Sequence, residues 1–447
     1  TTIGGPDNGH SSFAGGFAGG VNTNATAAFD YALGAVTSSG SGFAVEGGFV
    51  GLAFNAATIN QVYATGLVSG TGFKGGLAGF VQSNASLSNG YWDEGATGQT
   101  TGYTTSTGGT ATNVTGIGGA TGLNVYAPST YANFNLATNW YMIAGETRPI
   151  LRSELSSVVT NAHQLQLMVL NPSGHFVLGA DIDAGETTSV HGVWNPANGF
   201  VPVGSSLATP FSGVLDGDGH VISNLTIIGA TPQTQATPMF STDGALGLFG
   251  FVGPTGVVEN LSLQNIHVAG LDGMIVGAVA GQLSGQIHDV TASGVVTTGS
   301  SESGSRTAAA GGLVGDMGDS NGDGVIRNSS SSVTVGGVNA YVGGLVGWAH
   351  NGASIAQSDA TGTVAVGNRP GGSPPATPAA GGLIGVAQGS ASHPVTVTGA
   401  YATGSVAGGS GSTVGGFAGS VDQTNITSAY ATGAVAQTSG QAGGFVG

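Results

Sequence analysis

The sequence predicts an all-β chain wound as a right-handed parallel β-helix, a solenoid of glycine-rich repeats. Three observations predict it. Glycine supplies 86 of the 447 residues. A five-residue signature, GG-[FLV]-x-G, recurs every 28 to 38 residues. Short apolar runs with strand-like alternation lie between the copies, each bounded by glycine turns. A fixed period of this length is the mark of stacked repeats. Helix is disfavoured throughout, because each interior glycine costs roughly 1 kcal/mol relative to alanine.

The signature starts at Gly15, Gly47, Gly75, Gly311, Gly343, Gly381, Gly415 and Gly443, with a degenerate copy, GAVAG, at Gly277. About sixteen residues later comes a second element: YALG at Tyr31, YATG at Tyr63, DATG at Asp359, and YATG at Tyr401 and Tyr430. One repeat is too short to fold alone. Stacking buries a continuous core and pairs each strand with the next coil, at a spacing of about 4.8 Å. The right-handed crossover rule sets the expected hand. The Gly-Gly pair is expected at a corner, where it permits positive φ and close approach of neighbouring coils. The recurring tyrosine occupies one register, so the rings are expected to stack.

The organisation follows from these repeats. Residues 1–90 read as the end of a first array, and 91–152 as its Thr/Gly-rich closing unit. Residues 153–270 read as an opening unit, and 271–447 as a second array. The best helix candidate runs from Ser153 to Leu170: Asn161 and Gln164 form a capping box, Ala162, Leu165, Met168 and Val169 make an apolar stripe, and Pro172 and Gly174 end it. Strands are expected at 175–178, 211–215, 221–228, 246–252 and 257–263. The insertion at 368–380 (NRPGGSPPATPAA) is expected to loop out to the side. The chain opens at Thr1 and stops inside a GGFVG copy, which reads as a piece of a longer protein.

Composition narrows the function. Lys and Arg total 6 against 22 Asp and Glu, for a net charge of −16. An acidic surface repels phosphate, so no nucleic-acid partner is expected. No apolar run reaches the length of a membrane span. The absence of cysteine excludes a disulfide or zinc scaffold and suits a large exported bacterial protein. So few basic residues make a poor substrate for trypsin-like proteases.

The GGLVG and YATG elements resemble GLUG-motif repeats of filamentous-haemagglutinin-like bacterial adhesins, also found in stalks of IgA-specific metallopeptidases. The stretches from Leu178 (LGADIDA), Trp194 (WNPANGFVP), Phe211 (FSGVLDGDGHVISNLTI) and Gly247 (GLFG) resemble the opening unit of that family. The stretches YWDEGATGQTT at Tyr91 and WYMIAGETRPILR at Trp140 resemble its end unit. The resemblance covers nearly the whole chain. It implies a secreted or surface-displayed protein acting in adhesion, with glycans, neighbouring cells or further copies as partners and no general catalytic role for the repeats.

Several residues could carry chemistry. Asp319, Asn321, Asp323 and Val325 match the first half of a calcium loop, with Gly324 at the tight turn and Ser330 where a bidentate Glu would stand. Asp316 could supply the missing carboxylate. An ordinary polar turn has the same composition. The GxGxxG at Gly70 lacks the helix a dinucleotide site requires, and no H-E-x-x-H occurs. Paired carboxylates stand at Asp181/Asp183 and Asp216/Asp218. A carbohydrate-active β-helix enzyme is the alternative reading, and it requires carboxylates converging from different coils. A third reading is a calcium-stiffened extracellular filament. Asn-x-Ser/Thr triplets at Asn24, Asn84, Asn113, Asn224, Asn260, Asn328 and Asn425 read as turn composition or as glycosylation acceptors.

Overall fold

The computed structural model describes residues 2–3, 11–38, 43–229, 244–301, 307–318, 323–368 and 377–447. It contains two compact units. The first comprises Thr1–Glu154 and Glu186–Pro196, the second Leu155–Gly185 and Ala197–Gly447. Both are built of strands paired in parallel with strands one repeat away.

In the second unit the repeat signature falls on one ladder. Gly277 pairs with Gly311, Gly311 with Gly343, Gly343 with Gly381, Gly381 with Gly415, and Gly415 with Gly443. The central apolar residue of each copy continues the stack through its backbone. The Leu313 N–H donates to Leu345 O at 2.9 Å, Leu345 to Leu383 at 2.9 Å, and Leu383 to Phe417 at 2.8 Å. Their side chains are fully buried, as are Val276, Ala310, Val342, Ala380 and Val414 in the position just before the signatures at Gly277, Gly311, Gly343, Gly381 and Gly415. The long sheet of this unit carries strands Val257–Ala269 and Gln286–Ser300 side by side. The first unit repeats the scheme, with Gly15 on Gly47 and Gly47 on Gly75.

The repeat glycines are required by space. None of them has a positive φ, so the expected left-handed corner is not what selects them. A Cβ on Gly343 would lie 1.9 Å from the Val346 carbonyl oxygen of its own turn. One on Gly344 would lie 2.1 Å from the Gly382 oxygen of the next coil. One on Gly347 would lie 2.6 Å from the Gly315 oxygen of the previous coil. The three glycines thus face their own turn, the coil ahead and the coil behind.

Away from the signature, asparagine supplies 11 of the 22 non-glycine residues at positive φ among the described residues, its short polar side chain tolerating that conformation. Six of the seven Asn-x-Ser/Thr asparagines (24, 84, 113, 224, 260 and 328) have φ between 49° and 63°. Several corner asparagines also bond along the stack. Asn89 Nδ2 donates to Asn60 Oδ1 at 2.9 Å, and Asn113 Nδ2 to Asn89 Oδ1 at 3.1 Å.

The expected helix forms over Ala162–Leu167, followed by a 3-10 turn at Met168–Leu170. Its N-cap is Asn161, whose side chain accepts from Gln164 N at 2.9 Å. The return bond of Gln164 goes to Thr160 N at 2.7 Å instead of Asn161 N. Upstream, β-branched Val158–Val159 pairs with Val177 and Leu178 as a strand, which shortens the helix. The strand His175–Leu178 lies where expected. The run at 221–228 is broken into Val221–Ser223 and Thr226–Ile228 by Asn224 at φ 59°. Of the insertion expected at 368–380, residues 369–376 lie outside the described residues, and Ala379 and Ala380 belong to the strand Ala379–Gly381.

Candidate functional site

Three constellations carry polar or aromatic chemistry. The first is the tyrosine register of the first unit. Tyr31 pairs with Tyr63 and Tyr63 with Tyr91 on adjacent strands. The rings of Tyr31 and Tyr63 stack at 5.1 Å and 4°. The closing segment then covers them. Trp140 lies 5.9 Å from Tyr63, and Phe134 stacks on Trp140 at 4.7 Å. Tyr131 meets Tyr91 edge-on at 5.1 Å. The hydroxyls are satisfied: Tyr63 donates to Pro149 O at 2.8 Å and Tyr31 to Glu154 Oε1 at 2.7 Å. Burial holds the Tyr63 hydroxyl well above the usual tyrosine value. Burial, then the neighbouring Tyr63 and the Glu154 carboxylate, do the same for Tyr31.

One buried ion pair fastens this segment. Asp93 caps the helical turn Glu94–Thr97 by accepting from Ala96 N at 3.0 Å. Its other oxygen accepts from the Arg148 guanidinium, and Arg148 is 2% exposed. Arg148 also donates to the Gly192 and Val190 carbonyls and lies 5.1 Å over the Tyr126 ring. The sequence reading marked both end-unit stretches but missed that Asp93 and Arg148 meet. The available signal was that two of the chain's six basic residues, Arg148 and Arg152, fall in one of these segments and the acids Asp93 and Glu94 in the other.

The second constellation is the candidate calcium loop. Asp319 and Asn321 lie outside the described residues. Asp323 is exposed, and Gly318 at φ 93° and Gly324 at φ 62° flank the segment. Val325 opens the strand Val325–Arg327, and its N–H donates to Gly285 O at 2.9 Å. Asp316 is buried and accepts from His350 Nε2 at 2.7 Å, with Trp348 against the His350 ring at 4.4 Å. Among the described residues, no group of three or more His, Asp or Glu side chains is arranged to hold a metal.

The third is a row of charges on the long sheet of the second unit. Asp216, Glu259, His288 and Arg327 are successive register partners, one coil apart. His288 Nε2 lies 2.8 Å from Glu259 Oε2, and its Nδ1 lies 3.1 Å from Asp289 Oδ2. The other sequence-predicted acids bond to corners. Asp181 Oδ1 accepts from Val221 N at 3.0 Å and faces His220 Nδ1 at 3.0 Å, which lowers the Asp181 carboxyl from its ordinary value. Asp183 is lowered by the Asn224 amide and the Gly185 N–H. Asp216 Oδ1 accepts from Asp218 N at 2.9 Å and from Asn260 Nδ2 at 3.0 Å.

Fold and sites together define a repeat protein of parallel, solenoid-like sheets whose signature residues are spent on coil contact. Residues 338–365 match the family model of the GLUG motif. Over 179 residues, 40% of this chain, the sequence is 35% identical to halomucin of Haloquadratum walsbyi (strain DSM 16790 / HBSQ001), and the match spans 2% of that protein's length. Two solved structures are similar. A candidate immunoglobulin A1 protease from Bacteroides ovatus aligns at a TM-score of 0.43 and 20% identity, over 64% of this chain and 83% of the other. An IgA1 protease aligns at 0.41 and 19%, over 66% of this chain and 21% of the other. Among the described residues, no helix is long and apolar enough to cross a membrane.

Proposed function

We propose that this chain is a non-catalytic structural and adhesive stretch of a large extracellular bacterial surface protein, wound as a right-handed β-helix of GLUG-type repeats. The observation that carries this reading is the unbroken Gly-on-Gly register from Gly277 to Gly443. Each coil is fitted to the one ahead and the one behind, which suits a load-bearing or spacing element. The likeness to part of halomucin supports the same reading. Repeated polar, hydroxyl-rich coils suit weak multivalent contact with glycans, neighbouring cells or further copies. Beads coated with the chain are expected to adhere to a subset of immobilised polysaccharides or to one another. Beads that neither adhere nor cluster would count against the adhesive role.

Calcium belongs to this proposal through Asp319, Asn321, Asp323 and Val325. Chelation with EDTA and the variant Asp323→Ala should each lower the melting temperature, and an unchanged melt in both removes the ion. One observation favours a second reading. Asp216 and Glu259 bring carboxylates from neighbouring coils to one face, beside His288 and Arg327. A carbohydrate-active enzyme would use such a pair as acid and base. Release of reducing ends from a polysaccharide panel, abolished by Glu259→Gln, would establish that reading over the first.

A further inference from the structure

The position just before the signature belongs to the core in most copies, Ala442 before the last copy being exposed. In the second unit it holds Val276, Ala310, Val342, Ala380 and Val414, all fully buried. In the first unit the same register reads Ala14, Glu46 and Lys74. Lys74 is the only lysine in the chain. A carboxylate and an amine therefore stand on neighbouring coils at a repeat position that the other copies fill with alanine or valine. Parallel register partners have Cβ atoms about 4.8 Å apart, well within the reach of these two side chains.

Both groups converge on one turn, Gly70 to Gly72. Lys74 Nζ donates to Gly70 O at 3.1 Å and to Gly72 O at 3.3 Å. Glu46 Oε1 accepts from Gly72 N at 3.3 Å and from the Ser38 hydroxyl. Glu46 is completely buried, and among the described residues its second oxygen, Oε2, has no hydrogen-bond partner. Among the described residues, the two charged groups meet the turn and not each other. Leaving a buried carboxylate oxygen unbonded is costly, so a plain ion-pair or core role does not account for it.

The arrangement has the parts of an acyl transfer. Oε1 sits between two donors, the Gly72 N–H and the Ser38 O–H, placed to stabilise charge that develops on it. Oε2 is free to depart. The amine is held on the same turn as the carboxyl carbon it would attack, which replaces a bimolecular encounter by positioning.

We propose that Lys74 and Glu46 form an intramolecular amide cross-link between neighbouring coils. The ammonium passes a proton to the carboxylate, and the neutral Nζ attacks Cδ. The tetrahedral oxyanion rests on Oε1. The Cδ–Oε2 bond then breaks, Oε2 taking up a second proton from nitrogen and leaving as water. An ammonium and a carboxylate become one secondary amide and one water, with no oxidant, reductant or net proton exchanged. The bond closes the segment from Glu46 to Lys74 into a covalent loop.

Intact-mass spectrometry of the purified chain tests this. The expected mass is about 18 Da below the sequence mass, the water lost in amide formation. Tandem spectra of a digest should place the loss on a branched peptide joining Glu46 to Lys74. Glu46→Ala and Lys74→Arg should each restore the full sequence mass. Mass needs no folded variant to be informative, since the unaltered chain alone decides the main question. A chain at its full sequence mass overturns the proposal. So does an 18 Da loss that maps elsewhere or survives in Lys74→Arg.

Discussion

The tyrosine register occurs in both units with nearly the same geometry and a different fate. Tyr31 and Tyr63 stack at 5.1 Å and 4° in the first unit, Tyr401 and Tyr430 at 5.0 Å and 2° in the second. Tyr63 is 1% exposed beneath Trp140, whereas Tyr430 is 51% exposed. Ring stacking thus recurs with the coil repeat at Tyr31/Tyr63 and Tyr401/Tyr430 whether or not the pair is covered. Burial is a property of what is laid over it. The first unit spends a whole non-repetitive segment, clamped by Asp93 and Arg148, on that cover.

The contrast can be broken first by alkali. Burial raises the hydroxyls of Tyr31, Tyr63 and Tyr131 above the ordinary tyrosine value of 10.0. Their neutral forms are the ones the fold accommodates. The stability they contribute is therefore complete below about pH 10 and is lost as pH rises above it, because the unfolded chain ionises first. Cooperative unfolding of the first unit should accompany the appearance of tyrosinate absorbance near the top of an alkaline titration. Tyrosinate that appears in full while tryptophan emission holds would contradict this assignment.

Breaking the cover itself comes next. Arg148→Ala strands the buried Asp93 carboxylate and should cost about 3–5 kcal/mol. Trp140→Ala opens a cavity over Tyr63 and should cost about 3–5 kcal/mol. Denaturant melts would measure both, and losses under 1 kcal/mol would mean the segment is not a cover. By contrast, Tyr430→Ala removes only an exposed stacking partner and should cost about 0.5–1.5 kcal/mol. Between these lies the coil contact shared by both units. Gly344→Ala drives a methyl into the Gly382 carbonyl and should cost about 1–3 kcal/mol or more. Gly34→Ala meets nothing within 4 Å and should be neutral or stabilising by about 0.4–1 kcal/mol. Equal melts for the two glycine variants would refute the steric account of the signature.

Much of this was legible in the sequence, for a physical reason. A repeat that stacks in register must reuse its tightest contacts, so Gly343, Gly381 and Gly415 recur where backbones crowd. The tyrosines recur for the same reason, and their stacking followed from their spacing. Of the two reasons expected for the recurring glycine, close approach of neighbouring coils holds and positive φ does not. The cover was harder to read. Trp140, Phe134 and Tyr131 meet Tyr63 and Tyr91 through folding of a non-periodic segment, and no spacing encodes it. The helix was read too long because Val158 and Val159 find a strand partner in Val177 and Leu178, a tertiary contact that local propensity does not contain. Glu46 and Lys74 were open to view. Aligning the signatures places both directly before GG, where the other copies carry Ala or Val.

The three-way fit of the repeat glycines also bears on how such a protein changes length. The coil containing Gly343 presents to its successor the same surface that its predecessor presents to it. A duplicated coding segment would thus give a coil that both neighbours already accommodate. The chain would grow by one strand spacing, about 4.8 Å, with no new interface to evolve. Unequal recombination between near-identical repeats could lengthen or shorten the protein in fixed steps, so the gene would act as an adjustable ruler for reach.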